Sequence, residues 1–205
     1  MTMNKYEILE NETKVVGGYT LHRIKALKDI LCADGTVVKT GDLGGWIEKK
    51  ENLSQDGNAW ICGDAKVYGD AKVYGGAWIG GNAQVYGAAK VYDGAKVYDG
   101  AWICGNAKVY GNAWIGGNAQ VYGDAKVYGD AKVYGGAWIG GNAQVYGDAK
   151  VYGNAWICGD AKVYGNAKVY GNAKVYGNAQ VYGDAEVRDG YIGGSGGLDD
   201  VQKSD

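Results

Sequence analysis

The chain has 205 residues, with 38 glycines and no proline or phenylalanine, which excludes an ordinary mixed globular core. Its 21 lysines and arginines nearly balance 23 acidic residues, and the net charge of -2 excludes a strongly basic, phosphate-neutralising protein. Because no stretch approaches the roughly 18 apolar residues of a membrane span, and the N-terminus lacks an apolar signal segment, we expect a cytoplasmic protein.

Residues 1–43 predict a small β-domain. The segments KYEIL, TKVV, YTLHRIKAL and TVVK are typical of short strands, with turns at Gly17-Gly18 and Asp34-Gly35. This domain is expected to cover the start of the repeat that follows and to block edge-to-edge growth. His22, the single histidine, falls in a strand without a partner acid or nucleophile in view, so we interpret it as a structural side chain.

From residue 57 to residue 188 the chain divides into 22 hexads such as GDAKVY, GNAQVY and GGAWIG. A turn pair, in which glycine stands with Asn, Asp or another glycine in all hexads but the one that starts at Gly87, precedes four residues of alternating character. This alternation predicts short strands that point Ala and Val or Ile inward, while the turns use glycine for positive φ. A repeat this short predicts a solenoid whose coils stack through parallel strand pairing.

The pattern V-Y-G-D-A-K resembles the hexapeptide repeat of left-handed β-helices, in which three hexads form one triangular coil. The resemblance implies an all-β fold: a left-handed parallel β-helix of about seven coils over residues 44–194, with an N-terminal β cap at 1–43. Residues 195–205, rich in glycine and acidic groups, are interpreted as a flexible tail.

The same resemblance raises the possibility of catalysis, because left-handed β-helices include acyltransferases that act with acyl-CoA and carbonic anhydrases. The acyltransferases use a catalytic histidine and a loop that interrupts the coils, and the carbonic anhydrases need three zinc-binding histidines. The hexads contain neither histidine nor insertion. We therefore predict a protein that is not an enzyme and has no cofactor or metal, with an acyltransferase as the alternative.

Six hexads carry an outward tryptophan, followed by Ile and then by Cys or Gly. A coil of 18 residues places three of them on a first face and three on a second, while the third face carries lysine and glutamine. The six tryptophans form the candidate interaction surface: Trp60, Trp78 and Trp114 on the first face, and Trp102, Trp138 and Trp156 on the second. The third-face residues are Lys72, Lys90, Lys108, Lys126, Gln144, Lys162 and Gln180.

Fifteen of the other sixteen hexads end in tyrosine, and these rings are predicted to stack into ladders along the solenoid. We interpret the ladders as structural, with an aromatic surface for nucleotides or sugars as the alternative. The widely spaced cysteines are interpreted as free thiols, and three of them as small fillers beside a tryptophan: Cys62, Cys104 and Cys158, with Cys32 in the cap.

The stretch GDLGGWIEKKENLSQDGNAW, residues 41–60, resembles the lead-in of hexapeptide-repeat proteins of bacteriophages and prophages, described as polymer-forming or uncharacterised. This resemblance implies a phage-like setting, and the lack of catalytic features leaves a rigid structural or protein-interaction module. Two hypotheses remain for it: a virion or assembly component, or a protein that binds and blocks a host factor. It places the protein in the cytoplasm of a bacterial host, with the virion as the alternative. The implied partners are a host protein or further copies of the chain in a homotrimer; neither a membrane nor nucleic acid is expected.

Residues 63–87 are repeated letter for letter at 123–147. The offset of sixty residues equals ten hexads, which is not a multiple of three. Trp78 and its copy Trp138 are therefore predicted to lie on different faces, which indicates that the copied unit was the hexad rather than a composite site on one face.

Overall fold

A computed structural model describes residues 4–32, 35–194 and 197–198. This part of the chain is almost entirely β-structure, with no α-helix and one 3-10 turn at Lys50–Asn52. In the described residues no helix has the length and apolar character that a membrane crossing requires. The N-terminal strands are β1 (Tyr6–Val16), β2 (Tyr19–Ala26), β3 (Ile30–Leu31), β4 (Val37–Val38) and β5 (Leu43–Ile47).

The rest of the chain forms a β-solenoid of about eight turns with three parallel sheets, one on each face. The first face consists of β6 (Trp60–Ile61), β9 (Trp78–Ile79), β12 (Lys96–Val97), β15 (Trp114–Ile115), β18 (Lys132–Val133), β21 (Lys150–Val151), β24 (Lys168–Val169) and β27 (Glu186–Val187). The second face consists of β7 (Lys66–Val67), β10 (Gln84–Val85), β13 (Trp102–Ile103), β16 (Gln120–Val121), β19 (Trp138–Ile139), β22 (Trp156–Ile157), β25 (Lys174–Val175) and β28 (Tyr191–Ile192). The third face consists of β8 (Lys72–Val73), β11 (Lys90–Val91), β14 (Lys108–Val109), β17 (Lys126–Val127), β20 (Gln144–Val145), β23 (Lys162–Val163), β26 (Gln180–Val181) and β29 (Gly197–Leu198).

The solenoid is longer than the count of about seven coils from the hexads, because residues outside them supply further rungs. Trp46 in β5 pairs with Lys66 at the start, and Tyr191 in β28 pairs with Lys174 at the end. Strand pairing also reaches past residue 194, since β29 pairs with β26. The remainder of the predicted tail lies outside the described residues.

The interior confirms the predicted alternation. At the inward strand positions of the hexads, every Ala and every Val or Ile is exposed by 5% or less, and these side chains form one continuous core cluster. The cap joins the same cluster through residues such as Tyr6 and Ile24. Cap and solenoid therefore share one hydrophobic core.

Two turns differ from the expectation that glycine supplies each positive φ. At Asp93 and Asp99 the turn pair is reversed to Asp-Gly, and the aspartates themselves adopt φ of 57° and 56°. Aspartate tolerates this left-handed region better than most residues. Each carboxylate also accepts a hydrogen bond from a backbone N–H one coil further on, Asp93 from Gly111 at 3.4 Å and Asp99 from Gly117 at 3.1 Å.

The cap is an antiparallel hairpin, β1 and β2, joined through β5 to the second face of the solenoid. Its turn lies at Gly17 and Gly18, as predicted. The other predicted turn includes Asp34, which lies outside the described residues, although β3 and β4 on either side of it pair antiparallel. The outer strand β1 has an irregular register between Leu9 and Thr13, a distortion that discourages pairing with another strand.

Candidate interaction surfaces

The three faces have the composition that the 18-residue period predicts. Trp60, Trp78 and Trp114 lie in the sheet of the first face, and Trp102, Trp138 and Trp156 in that of the second. The two copies of the duplicated stretch place Trp78 and Trp138 on different faces, as expected. The third face carries only lysine and glutamine at the corresponding positions of β8 to β26.

Burial removes two of the six tryptophans from the candidate interaction surface. Trp60 is 1% exposed and Trp78 is 8% exposed, and both belong to the core cluster. The cap covers Trp60, since Gly44 of β5 packs so closely that an added Cβ would lie 2.7 Å from its ring. The other four tryptophans reach solvent, with Trp114 and Trp102 more than 40% exposed.

The hairpin of the cap covers the first coils of the second face. Leu21 of β2 packs against Trp46 and Tyr68, and the three form a buried cluster outside the solenoid core. Tyr19 lies against Tyr68 with ring centroids 5.2 Å apart, and Tyr68 stacks in turn on Tyr86 at 5.1 Å. Aromatic side chains on the outside of this face thus already pack against a β-hairpin of the chain's own cap.

A cluster of charged residues around Asp64 links this hairpin to the solenoid through hydrogen bonds and ion pairs. Asp64 accepts hydrogen bonds from Trp46 Nε1 at 2.9 Å, from Lys66 Nζ at 2.9 Å, and from Lys14 of the hairpin. Partial burial alone would raise the pKa of Asp64, but the hydrogen bonds from Lys14 and Lys66 lower it to about 2. The Lys14 and Arg23 cations also lie over the Trp46 ring. Sequence reasoning missed Trp46, although its W-I pair matches the tryptophan hexads.

Beyond the hairpin, the second face continues as an aromatic row whose own strands carry no charge, with Lys174 Nζ over the last ring, that of Trp156, 5.2 Å from its centroid. The strands from β10 to β22 carry glutamine or tryptophan at their outward positions, and none carries a charged side chain. Trp138 and Trp156 stack with ring centroids 4.9 Å apart, and Trp102 stands edge-on to Tyr86 at 6.4 Å. We call Trp102, Gln120, Trp138 and Trp156 the second-face aromatic surface.

Gly140, the small residue that follows Trp138 and Ile139, makes room for a tyrosine of the preceding coil. A Cβ added at Gly140 would overlap the ring of Tyr122, which stands at 90° to Trp138. The contact between tryptophan and tyrosine thus lies between adjacent coils. The energetic effect of a larger residue at position 140 is therefore expected to depend on the side chain at position 122.

We expect Gly140→Ala to lower the free energy of unfolding by about 1–2 kcal/mol, because the new methyl group displaces the Tyr122 ring. Urea denaturation followed by circular dichroism measures this. Gly116→Ala is the matched control on the first face, where the nearest atom would be 3.6 Å away. Adding Tyr122→Ala to Gly140→Ala should cost less than the two single changes together. Additive losses, or equal losses at Gly116 and Gly140, would contradict the coupling.

The third face carries the longest tyrosine ladder. Seven half-buried rings stack in sequence with centroids 4.9 to 5.3 Å apart and planes within 13° of parallel: Tyr74, Tyr92, Tyr110, Tyr128, Tyr146, Tyr164 and Tyr182. Burial is the main cause that raises the pKa of the first five, so their hydroxyls stay protonated at neutral pH. Two hydroxyls donate to glutamines of the next coil, Tyr128 to Gln144 at 3.3 Å and Tyr164 to Gln180 at 3.1 Å.

This stacking determines which part of each tyrosine ring is accessible to a ligand. Parallel rings at 4.9 Å must overlap face to face, because two rings lying in one plane would clash at that distance. The ring faces therefore point along the solenoid axis and cover one another, while edges and hydroxyls point outward. Within the ladder, the rings do not offer the flat platform that stacking with nucleobases or sugars requires.

The first face has an open groove in which opposite charges are mixed. One stretch, of about 610 Å³, runs beside Trp114 between Lys96 and Lys132. The next stretch, of about 620 Å³, is lined by Asn112, Asp130, Lys132, Asp148, Lys150, Asn166, Lys168, Asp184 and Glu186. Carboxylates thus stand beside the lysines of this face, and Lys168 forms an ion pair with Glu186.

The remaining reactive side chains lie apart from one another. All four cysteines are described, and none forms a disulfide. His22 lies in β2 of the cap, with its Nδ1 3.7 Å from a Glu10 carboxylate oxygen. Among the residues described, no group of three or more His, Cys, Asp and Glu side chains could hold a metal ion.

Comparison with known proteins gives one family. The family model of the YdcK beta solenoid repeat matches residues 143–159 and 167–183. Both stretches lie within the regular hexads, and together they span far less than half of the chain. A search of curated proteins found no match. With the three parallel sheets, the family match identifies the chain as a β-solenoid repeat protein.

Proposed function

We propose that this β-solenoid is a rigid, non-catalytic module that binds another protein through the second-face aromatic surface. The observation that carries the proposal is an aromatic row whose strands, β10 to β22, carry no charge, on the same face as Trp46 and Tyr68, on which the chain's own hairpin already packs. Protein interfaces are enriched in tryptophan and tyrosine and depleted of charge at their centres. The third face carries a lysine on most of its strands and the first face on half of them, so neither has an uninterrupted uncharged stretch of this length.

The stiffness of the solenoid supports this role. A core buried on every coil holds the exposed tryptophans at fixed spacing, so little conformational entropy is lost when a partner binds. The lead-in at residues 41–60 resembles phage and prophage hexapeptide-repeat proteins, and we propose a bacterial host protein as the partner, bound in the host cytoplasm. A further copy of the chain, as in a homotrimer, is the alternative occupant of the same surface.

We expect Trp102→Ala combined with Trp138→Ala to abolish capture of the partner from bacterial lysate, because a central interface tryptophan contributes at least about 2 kcal/mol, or roughly 30-fold in affinity. Trp114→Ala is the matched control, since Trp114 is equally exposed but lies on the first face. The captured protein is then purified and titrated against each variant by calorimetry.

Light scattering on the same samples tells a host protein from a second copy of the chain. A partner that binds the Trp102/Trp138 variant as tightly as the wild type would refute the proposal. Equal losses in the Trp114 control would refute it as well, since the effect would then not belong to the second face.

A further inference from the structure

The third face holds a row of five lysines on successive or nearby coils: Lys72, Lys90, Lys108, Lys126 and Lys162. In-register pairing places Lys72 opposite Lys90, Lys90 opposite Lys108, and Lys108 opposite Lys126. Lys162 follows between Gln144 and Gln180. Within the described part of the chain none of these five lysines forms an ion pair, in contrast to Lys66 and Lys168 on the other faces.

Most carboxylates at the two neighbouring corners have partners other than these lysines, whereas for Asp148 no hydrogen bond or ion pair is found among the described residues. Between the second and third faces, Asp124 and Asp160 accept hydrogen bonds from the side-chain amides of Asn106 and Asn142. Between the third and first faces, Asp130 accepts one from Asn112 at 3.1 Å and lines the first-face groove. Like charges directly opposite one another in a sheet are destabilising. The lysines of this row therefore repel one another, and a bound anion would reduce that repulsion.

A second row of polar groups runs beside these lysines at the same spacing. The stacked tyrosines direct their edges and hydroxyls outward, one for each coil of about 4.9 Å. Each coil of the third face thus offers a cationic or amide side chain and a phenolic hydroxyl. A matching ligand repeats one anionic group and neighbouring hydroxyls at a short, constant interval along a line.

We propose that the third face binds a linear acidic polysaccharide that carries a carboxylate on each sugar. The lysines would donate to the carboxylates, and the tyrosine hydroxyls would bond to the ring hydroxyls. One pyranose ring is about as long as one coil is high, so successive sugars can meet successive coils. Single-stranded nucleic acid fits less well, because its bases need exposed aromatic faces and the ladder covers them.

Binding of polygalacturonate, measured by surface plasmon resonance at several salt concentrations, tests this proposal. We expect the wild type to bind and its affinity to fall as salt rises, since each lysine–carboxylate contact releases counterions. The triple variant Lys90→Gln, Lys108→Gln, Lys126→Gln is expected to bind roughly tenfold more weakly, with a smaller salt dependence. Glutamine already occupies this row at Gln144 and Gln180, so the third face is known to accommodate the side chain that the variant introduces.

The matched control removes the same charge from the first face, through Lys96→Gln, Lys132→Gln and Lys150→Gln, and should leave affinity within about twofold. Polygalacturonate should also raise the melting temperature of the wild type but not of the third-face variant. Equal weakening by both triple variants, or no binding by the wild type, would overturn the proposal. Tighter binding of oligothymidylate than of polygalacturonate would overturn it in favour of nucleic acid.

Discussion

Replacing Ala125 with leucine is expected to lower the free energy of unfolding by about 3 kcal/mol or more. Ala125 is fully buried, and it lies in the interior row of alanines between Ala107 and Ala143 of the neighbouring coils. Its backbone is bonded to the preceding coil and within its own turn: the carbonyl accepts a hydrogen bond from Lys108 N at 2.9 Å, and the N–H donates to Tyr122 O at 3.4 Å. Three added carbon atoms cannot be absorbed without forcing the coils apart, and overpacking of this kind costs about 1–3 kcal/mol or more.

Urea denaturation of Ala125→Leu and of Lys126→Leu measures the effect at adjacent positions of one hexad. Lys126 points outward, so leucine there adds surface rather than core volume, and we expect a change within about 0.5 kcal/mol. A loss at Lys126 as large as the loss at Ala125 would show that the interior is not tightly packed.

Lys5 is expected to make the protein more stable as pH rises from 8 towards 10. The residue is fully buried under the first coil, where its Nζ donates to Ala59 O at 2.8 Å. Burial, with a smaller effect of Lys28, lowers the pKa of Lys5 from 10.5 to about 8. Between these values the unfolded chain binds a proton that the folded chain has lost, so the free energy of unfolding increases with pH, by up to about 3 kcal/mol.

Thermal unfolding of wild type and Lys5→Met between pH 7 and pH 10 checks this expectation. The wild type should gain stability relative to the variant across the window, since methionine carries no proton to lose. Above pH 10 the trend reverses, because burial raises the pKa of Tyr6 to about 12 and the unfolded chain then loses its tyrosine proton first. Parallel pH profiles for wild type and Lys5→Met below pH 10 would contradict the assignment to Lys5.

Much of the fold could be predicted because each hexad specifies its own turn and strand, and three hexads together specify how the coils stack. Alternation in GDAKVY determines which side chains are buried, and the constant period of 18 determines which residues stack, so the face of each tryptophan followed from its number. The ends were harder to predict. Trp46 joins the second face across an irregular lead-in, and Tyr191 pairs with Lys174 after a coil one residue shorter than the rest.

The candidate surfaces were only partly predictable. The outward direction of Trp60 and Trp78 follows from the repeat, but their burial depends on packing that the repeat does not contain, including the cap over Trp60. The covering of Trp46 and Tyr68 likewise depends on a hairpin that is distant in sequence. Cysteines interpreted as fillers beside tryptophan proved to be half-buried, and the clearest role of such a small residue is at Gly140, beneath Tyr122.

The sequence by itself determined the β-solenoid, its buried rows of alanine and valine, and the composition of its three faces, because a strict period leaves only one way to stack identical coils. Tertiary structure alone decided which aromatic side chains remain exposed, how the tyrosine rings are oriented, and which charged side chains form ion pairs. These properties depend on contacts between coils and between cap and solenoid. Lys66, for example, forms an ion pair with Asp64, which also accepts a hydrogen bond from Lys14 of the hairpin. Lys108 occupies the same position of its hexad, but its neighbours on the adjacent strands are Lys90 and Lys126.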